Sequence, residues 1–315
     1  MIDITHIFGN NMESIVDSRS RYILYAASIL LITSITGFCI NWIQFHYPGN
    51  DYFPPNTPYI ALCLILIHLG LRLYFSKFSM VVIQSQELIY FFLVMCLIAL
   101  ATNAAQYTPF SVIDPYIISL EQTYHIDMKA ILLMTHNKPY LSLILQKIYD
   151  TLPYQMIYIP LALIVTKRFD YIREYYFLIL VTAIIGFTCY YFFPTMAPAS
   201  LIVSPYFSES QLATGLKFMQ IHHHIPPTTL EGGLIALPSF HVIWAWLCQY
   251  SLKSWPIVFY LMLPINCLLI LSCVLLGWHY LIDILGGVTT ILIAHGLYRF
   301  CARSTVSMPD GLLVH

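Results

Sequence analysis

ALPSFHVIWAWLCQYSLKSWPIVFYLMLPINCLLILSCVLLGWHYLID, residues 236–283, decides what kind of protein this is. It contains two apolar runs, Ser239 to Leu252 and Pro256 to Leu276, joined through Lys253, with a histidine near each outer end. Since about 20 mostly apolar residues make one membrane-crossing helix, the stretch reads as one crossing out and one back. Pro238, Ser239 and His241 at the first helix start therefore return to the same membrane face as His279 and Asp283 at the next. An odd number of crossings between them would have separated them.

The rest of the chain agrees. Of its 315 residues 59% are hydrophobic and only 9% charged, which excludes an ordinary soluble domain. The fold class expected is an all-α, polytopic membrane bundle of about eight helices. The runs are Tyr22 to Phe45, Tyr59 to Phe75, Glu87 to Ala105, Leu152 to Thr166, Tyr175 to Phe193, Ser239 to Leu252, Pro256 to Leu276, and His279 to Phe300. The fourth and sixth are short. Arg19 and Arg21 precede a first run much longer than a signal-peptide core, so it reads as an uncleaved anchor. Residues 106–150 are too polar to cross and suit surface-lying helices, starting near Asp114 and Pro115 and again near Pro139. The domain reading follows: residues 1–85 with two additional helices, 86–303 as a catalytic six-helix core, and 304–315 as a cytoplasmic tail.

With eight crossings both termini share one side. Ten of the 14 basic residues fall on that side, and only Lys129, Lys138, Lys147 and Lys217 fall on the other. The positive-inside rule then puts the termini in the cytoplasm and both histidine-bearing helix starts on the extracytoplasmic face. A net charge of −1 gives no basic surface for nucleic acid. The eight cysteines lack the spacing of a metal knuckle or disulfide framework and read as buried small apolar residues.

Two helix starts on one face can do phosphoryl chemistry. Ser239 is a good N-cap, and the N–H groups after it, at the positive end of the helix dipole, form an anion site. His279 and Asp283, spaced i and i+4, stack on one helix face, so the carboxylate can hold one ring nitrogen and leave the other free to attack. His241 then stands where it can protonate a leaving group. Ionisable groups at the membrane boundary are expensive to bury unpaired, which favours function over packing for this set. For His68 and His295 simple packing is the expectation.

At these residues the chain resembles the type 2 phosphatidic acid phosphatase superfamily, whose second motif reads Pro-Ser-x-His and whose third ends in His-x-x-x-Asp. The resemblance covers roughly Glu87 to Phe300. It implies that His279 is the nucleophile, Asp283 its partner, His241 the general acid and then base, and that Ser239, beside Pro238, touches the phosphate. The family's cationic clamps are missing: Tyr190, Ala197 and Cys273 stand where Lys, Arg and Arg belong. The inositol phosphorylceramide synthase-like branch also lacks those arginines, and it resembles this chain in the loop of Pro194, Thr195 and Pro198 and in the run from Glu231 to Pro238. A phosphodiester carries about one negative charge rather than two and needs less clamping, so transfer between lipid or polyol carriers is favoured over monoester hydrolysis.

Thr195, Lys217 and His224 are the further substrate-binding candidates, the last two as replacements for the missing cations or as headgroup ligands. His222, His223 and His224 equally suit a solvated loop. Three adjacent histidines cannot all reach one ion from regular structure, so no metal site and no cofactor is expected. The expected partners are a lipid phosphate or phosphodiester donor, a lipid or polyol acceptor, and the bilayer. Trp42, Tyr59, Trp255 and Trp278 read as an interfacial aromatic belt. The alternatives are a lipid phosphate phosphatase, a non-enzymatic transporter or scaffold, and a histidine-rich metal oxidase; the last needs paired histidine boxes that the chain lacks.

Overall fold

The computed structural model describes residues 4–46 and 51–306, with side chains from Ser20 to Arg303 in those ranges. The expected tail falls almost wholly outside them. Twelve α-helices and no β-strand are found among the described residues.

Helix α1 (Ile4–Ile40) runs into a π turn at Asn41–Phe45, and α2 (Thr57–Tyr74) and α3 (Met80–Ala104) follow. The polar interval then supplies three short helices, α4 (Asp114–Thr123), α5 (Met128–His136) and α6 (Pro139–Tyr149), two of them opening on prolines near the expected starts. Pro suits a first helical turn because its missing N–H has no partner there in any case. Next come α7 (Leu152–Val165) and α8 (Phe169–Phe192), then α9 (Glu209–His222) inside the second long connection. The chain ends with α10 (Phe240–Ser251), α11 (Pro256–Leu275) and α12 (Leu281–Val306).

Six of these helices are long and apolar enough to cross a membrane, and the pair α6 and α7, meeting at a bend of 40°, makes a seventh if counted as one span. The expected crossing left over, the sixth in chain order, is α10, whose 12 residues rise only about 18 Å against a hydrocarbon core of about 30 Å. Its position explains how so short a helix is tolerated. It packs against α7, α8, α11 and α12, so protein rather than lipid surrounds it. Its far end is closed by amides: Gln249 donates to Phe259 O at 2.8 Å and accepts from Asn266 at 2.9 Å.

Helix α8 is the second inner element, with Ile172 and the run Tyr175 to Val181 buried. It is joined to α3 by Arg173, whose guanidinium donates twice to Glu87 Oε1 at 3.0 and 2.8 Å. Helix α2 lies outermost: it packs on α3 and buries none of its residues fully. His68 is held by Ser85 at 2.8 Å, and His295 accepts from the Trp246 indole at 3.0 Å, so both have packing partners. The cysteines are free, but Cys39, Cys63 and Cys267 are exposed on the bundle surface, which corrects their reading as uniformly buried.

Candidate active site

The starts of α10 and α12 are locked together through the backbone. Ser239 N–H donates to the Asp283 carbonyl at 3.0 Å, and Ser239 Oγ accepts from Val242 N–H at 3.4 Å as the N-cap of α10. Two adjacent glycines permit this approach. A Cβ on Gly287 would lie 3.0 Å from the Ser239 carbonyl oxygen, and one on Gly286 only 2.7 Å from Leu237. A larger residue there would drive the helices apart.

The histidines meet across this junction. Asp283 Oδ2 faces His279 Nδ1 at 3.2 Å and also accepts the Tyr280 N–H at 3.0 Å, so the carboxylate is fixed from two sides. With the hydrogen on Nδ1, the lone pair lies on Nε2, the atom that faces His241 Nδ1 at 3.5 Å. His279 is 4% exposed, and burial lowers its pKa to about 4, so its imidazole is neutral at physiological pH.

Two residues that the sequence reading did not assign to the site build its wall. Tyr149, at the end of α6, stacks on His241 with ring centroids 4.4 Å apart and 17° between planes, and its other neighbour is Trp278, stacked at 5.3 Å and 6°. Trp278 therefore belongs to the wall of the candidate site rather than to an interfacial belt, where the 69% exposed Trp42 and 71% exposed Tyr59 do fit. Between this stack and the histidines lies a pocket of about 30 Å³, also touched by Thr214, Phe218 and Gly233. That is room for a water or two, and none of its lining residues is Lys or Arg.

Thr195 is fully buried, and its Oγ1 accepts the Leu237 N–H at 2.8 Å, which ties the Pro194–Pro198 loop to the residue before Pro238. Asp114 secures the same loop by accepting Met196 N–H at 3.0 and 2.9 Å, and burial pushes its pKa up to about 7. Pro238 is buried against α12. Glu121 caps α12, accepting from Leu281 N–H at 2.6 Å and Ile282 N–H at 3.3 Å. Neither carboxylate had a sequence signal, because each reaches the site from an element more than 80 residues away in the chain.

Lys217 and His224 are placed elsewhere. The Lys217 ammonium is fully buried and donates to the carbonyls of Glu231 at 2.5 Å and Gly232 at 3.0 Å, and burial lowers its pKa to about 8. It braces the loop that leads to Pro238. His224 stacks on Phe45 at 4.3 Å, while His223 contacts Met219 O and His222 reaches toward Tyr190 at 3.5 Å. The triplet thus points to three separate partners, and among the described residues no cluster of three His, Cys, Asp or Glu side chains is arranged as metal ligands.

A comparison with protein families matches residues 115–297, more than half of the chain, to the PAP2 superfamily. The matched residues include both histidine motifs and begin after α1, α2 and α3. No curated protein and no solved structure matches the chain.

Proposed function

The chain belongs to the PAP2 superfamily, and from that premise we propose that it is an integral-membrane lipid phosphotransferase, inositolphosphotransferase-like, working through a phosphohistidine at His279. Membership carries the coarser statement, chemistry of the phosphatase or phosphotransferase type. The observation that carries the phosphohistidine is the His279 ring, held at Nδ1 by Asp283 and turned with Nε2 toward His241.

In the first step His279 Nε2 bonds to phosphorus, the phosphorus–oxygen bond to the leaving alcohol breaks, and His241 gives that oxygen a proton. In the second, His241 takes the proton of an acceptor hydroxyl, whose oxygen displaces Nε2 from phosphorus. Water in the acceptor's place gives hydrolysis. The N–H groups of Phe240 and His241 find no partner among the described residues and stand at the positive end of α10, where they receive phosphoryl oxygens.

Phosphorus must lie between the attacking and leaving atoms, with the acid a hydrogen bond beyond. The two facing nitrogens, now 3.5 Å apart, therefore part by roughly 2–3 Å when substrate binds. The lack of a cation in the pocket lining supports a singly charged diester donor over a doubly charged monoester. Lys253 follows the far end of α10, opposite the histidines, which is consistent with an extracytoplasmic site.

Purified protein incubated with labelled lipid phosphates and phosphodiesters, with and without a polyol or lipid alcohol, tests this reading. A new phosphodiester that forms only with the acceptor supports transfer. Free phosphate from monoesters, unaffected by acceptor, identifies a phosphatase instead.

A further inference from the structure

An apolar chamber of about 680 Å³ adjoins the catalytic pocket, and the two share Gly233, Ile235 and His241 as walls. From that junction it extends between α2, α3 and α7, lined by side chains such as Ile60, Leu64, Phe92, Met95 and Leu161. One end is thus a pair of histidines, and the body is hydrocarbon-like.

Its outer wall is the peripheral helix. Helix α2 is tied to α3 by polar contacts on either side of the chamber-facing stretch, Tyr52 N–H to Asn103 Oδ1 at 2.9 Å before it and His68 to Ser85 at 2.8 Å after it. Between them Thr57, Ile60 and Leu64 face the chamber. Its size and apolar lining suit a hydrocarbon chain. Its continuity with His241 says which ligand.

We propose that the chamber receives the hydrocarbon chain of the lipid whose phosphate ester is handled at His279, and that α2 sets which chains fit. The proposal rests on the function proposed above for its headgroup end. It gives the first 85 residues, which lie outside the family match, a role in specificity.

The test uses the full chain in phosphatidylcholine vesicles and a phosphatidylinositol probe, a singly charged phosphodiester, carrying a diazirine at the end of one palmitoyl chain. On photolysis, label is expected on Ile60, Leu64, Phe92 and Met95 in preference to Leu62 and Leu69, which are exposed on the outside of α2. Ile60→Trp and Leu64→Trp, which fill the chamber, are expected to reduce label on Phe92 and Met95 at least fivefold. Ile60→Ala and Leu64→Ala, which enlarge it without overpacking, should retain that label and improve competition by dioleoyl over dioctanoyl phosphatidylinositol. Equal label on the inner and outer residues of α2, or label on Phe92 undiminished by both Trp variants, overturns the proposal. Phosphorylation of His279 is read separately, so the chamber and the chemistry can fail independently.

Discussion

Two helices begin at the catalytic pocket, and they begin in opposite ways. The start of α12 is filled by the chain's own acids: Glu121 takes the N–H groups of Leu281 and Ile282, and Asp283 takes that of Tyr280. The start of α10 has only the neutral Ser239 hydroxyl on Val242 N–H, and the N–H groups of Phe240 and His241 find no partner among the described residues. Both ends carry the same dipole. On the proposed function, the difference teaches which of them receives an external anion and which orients the nucleophile.

Replacing the orienting acid breaks the comparison most severely. Asp283→Asn keeps the shape of the α12 start but removes the charge that fixes the His279 tautomer and supports the ring as it becomes cationic on attack. The transfer rate is expected to fall by about 10²–10⁴, measured under single-turnover conditions, while thermal unfolding in detergent confirms the fold. A rate within twofold of wild type would show that Asp283 serves packing alone.

The pH profile follows from the burial of His279. It must be neutral to attack, and burial lowers its pKa below the ordinary 6.5, so the acid limb of kcat/KM should lie below pH 6.5. Activity at pH 5 then exceeds, relative to the plateau, what a water-exposed histidine would allow. The stability sign is the same. Between pH 6.5 and 4 the unfolded chain takes up a proton at this position that the folded one does not, so stability falls as pH drops through that window. An acid limb near 6.5 would place His279 in water.

Opening the second helix start gives a smaller change. Glu121→Ala removes two part-buried hydrogen bonds to the N–H groups of Leu281 and Ile282 and should destabilise the protein by about 1–3 kcal/mol, read as a lower unfolding midpoint. Its effect on inhibition by orthovanadate, a phosphate mimic, should be slight if the anion binds at α10. Smaller still is Ser239→Ala, a lost N-cap worth about 0.5–2 kcal/mol, with the Ser239 backbone bond to Asp283 retained. Ser239→Gly should recover part of that loss.

The sequence shows which residues meet but not what holds them. Pro238, Ser239, His241, His279 and Asp283 are legible because each motif is local and because counting crossings returns both to one face. The wall is not legible. Tyr149 stacks on His241 from 92 residues away along the chain and Glu121 caps Leu281 from 160, and neither carries a local pattern that separates it from an ordinary amphipathic helix. Lys217 shows the limit differently: its charge suggested a phosphate ligand, yet two backbone carbonyls claim its ammonium. Helix count is ambiguous for a physical reason too, since a helix enclosed by protein need not span the bilayer.

The most direct measurement of the central claim is the covalent intermediate. Protein mixed with a phosphorus-labelled lipid substrate found in the donor panel, quenched within one turnover and digested, should yield acid-labile, alkali-stable label on the peptide containing His279, and none in His279→Asn. Label on His241 or on any other residue, or turnover without any labelled protein, would contradict the account.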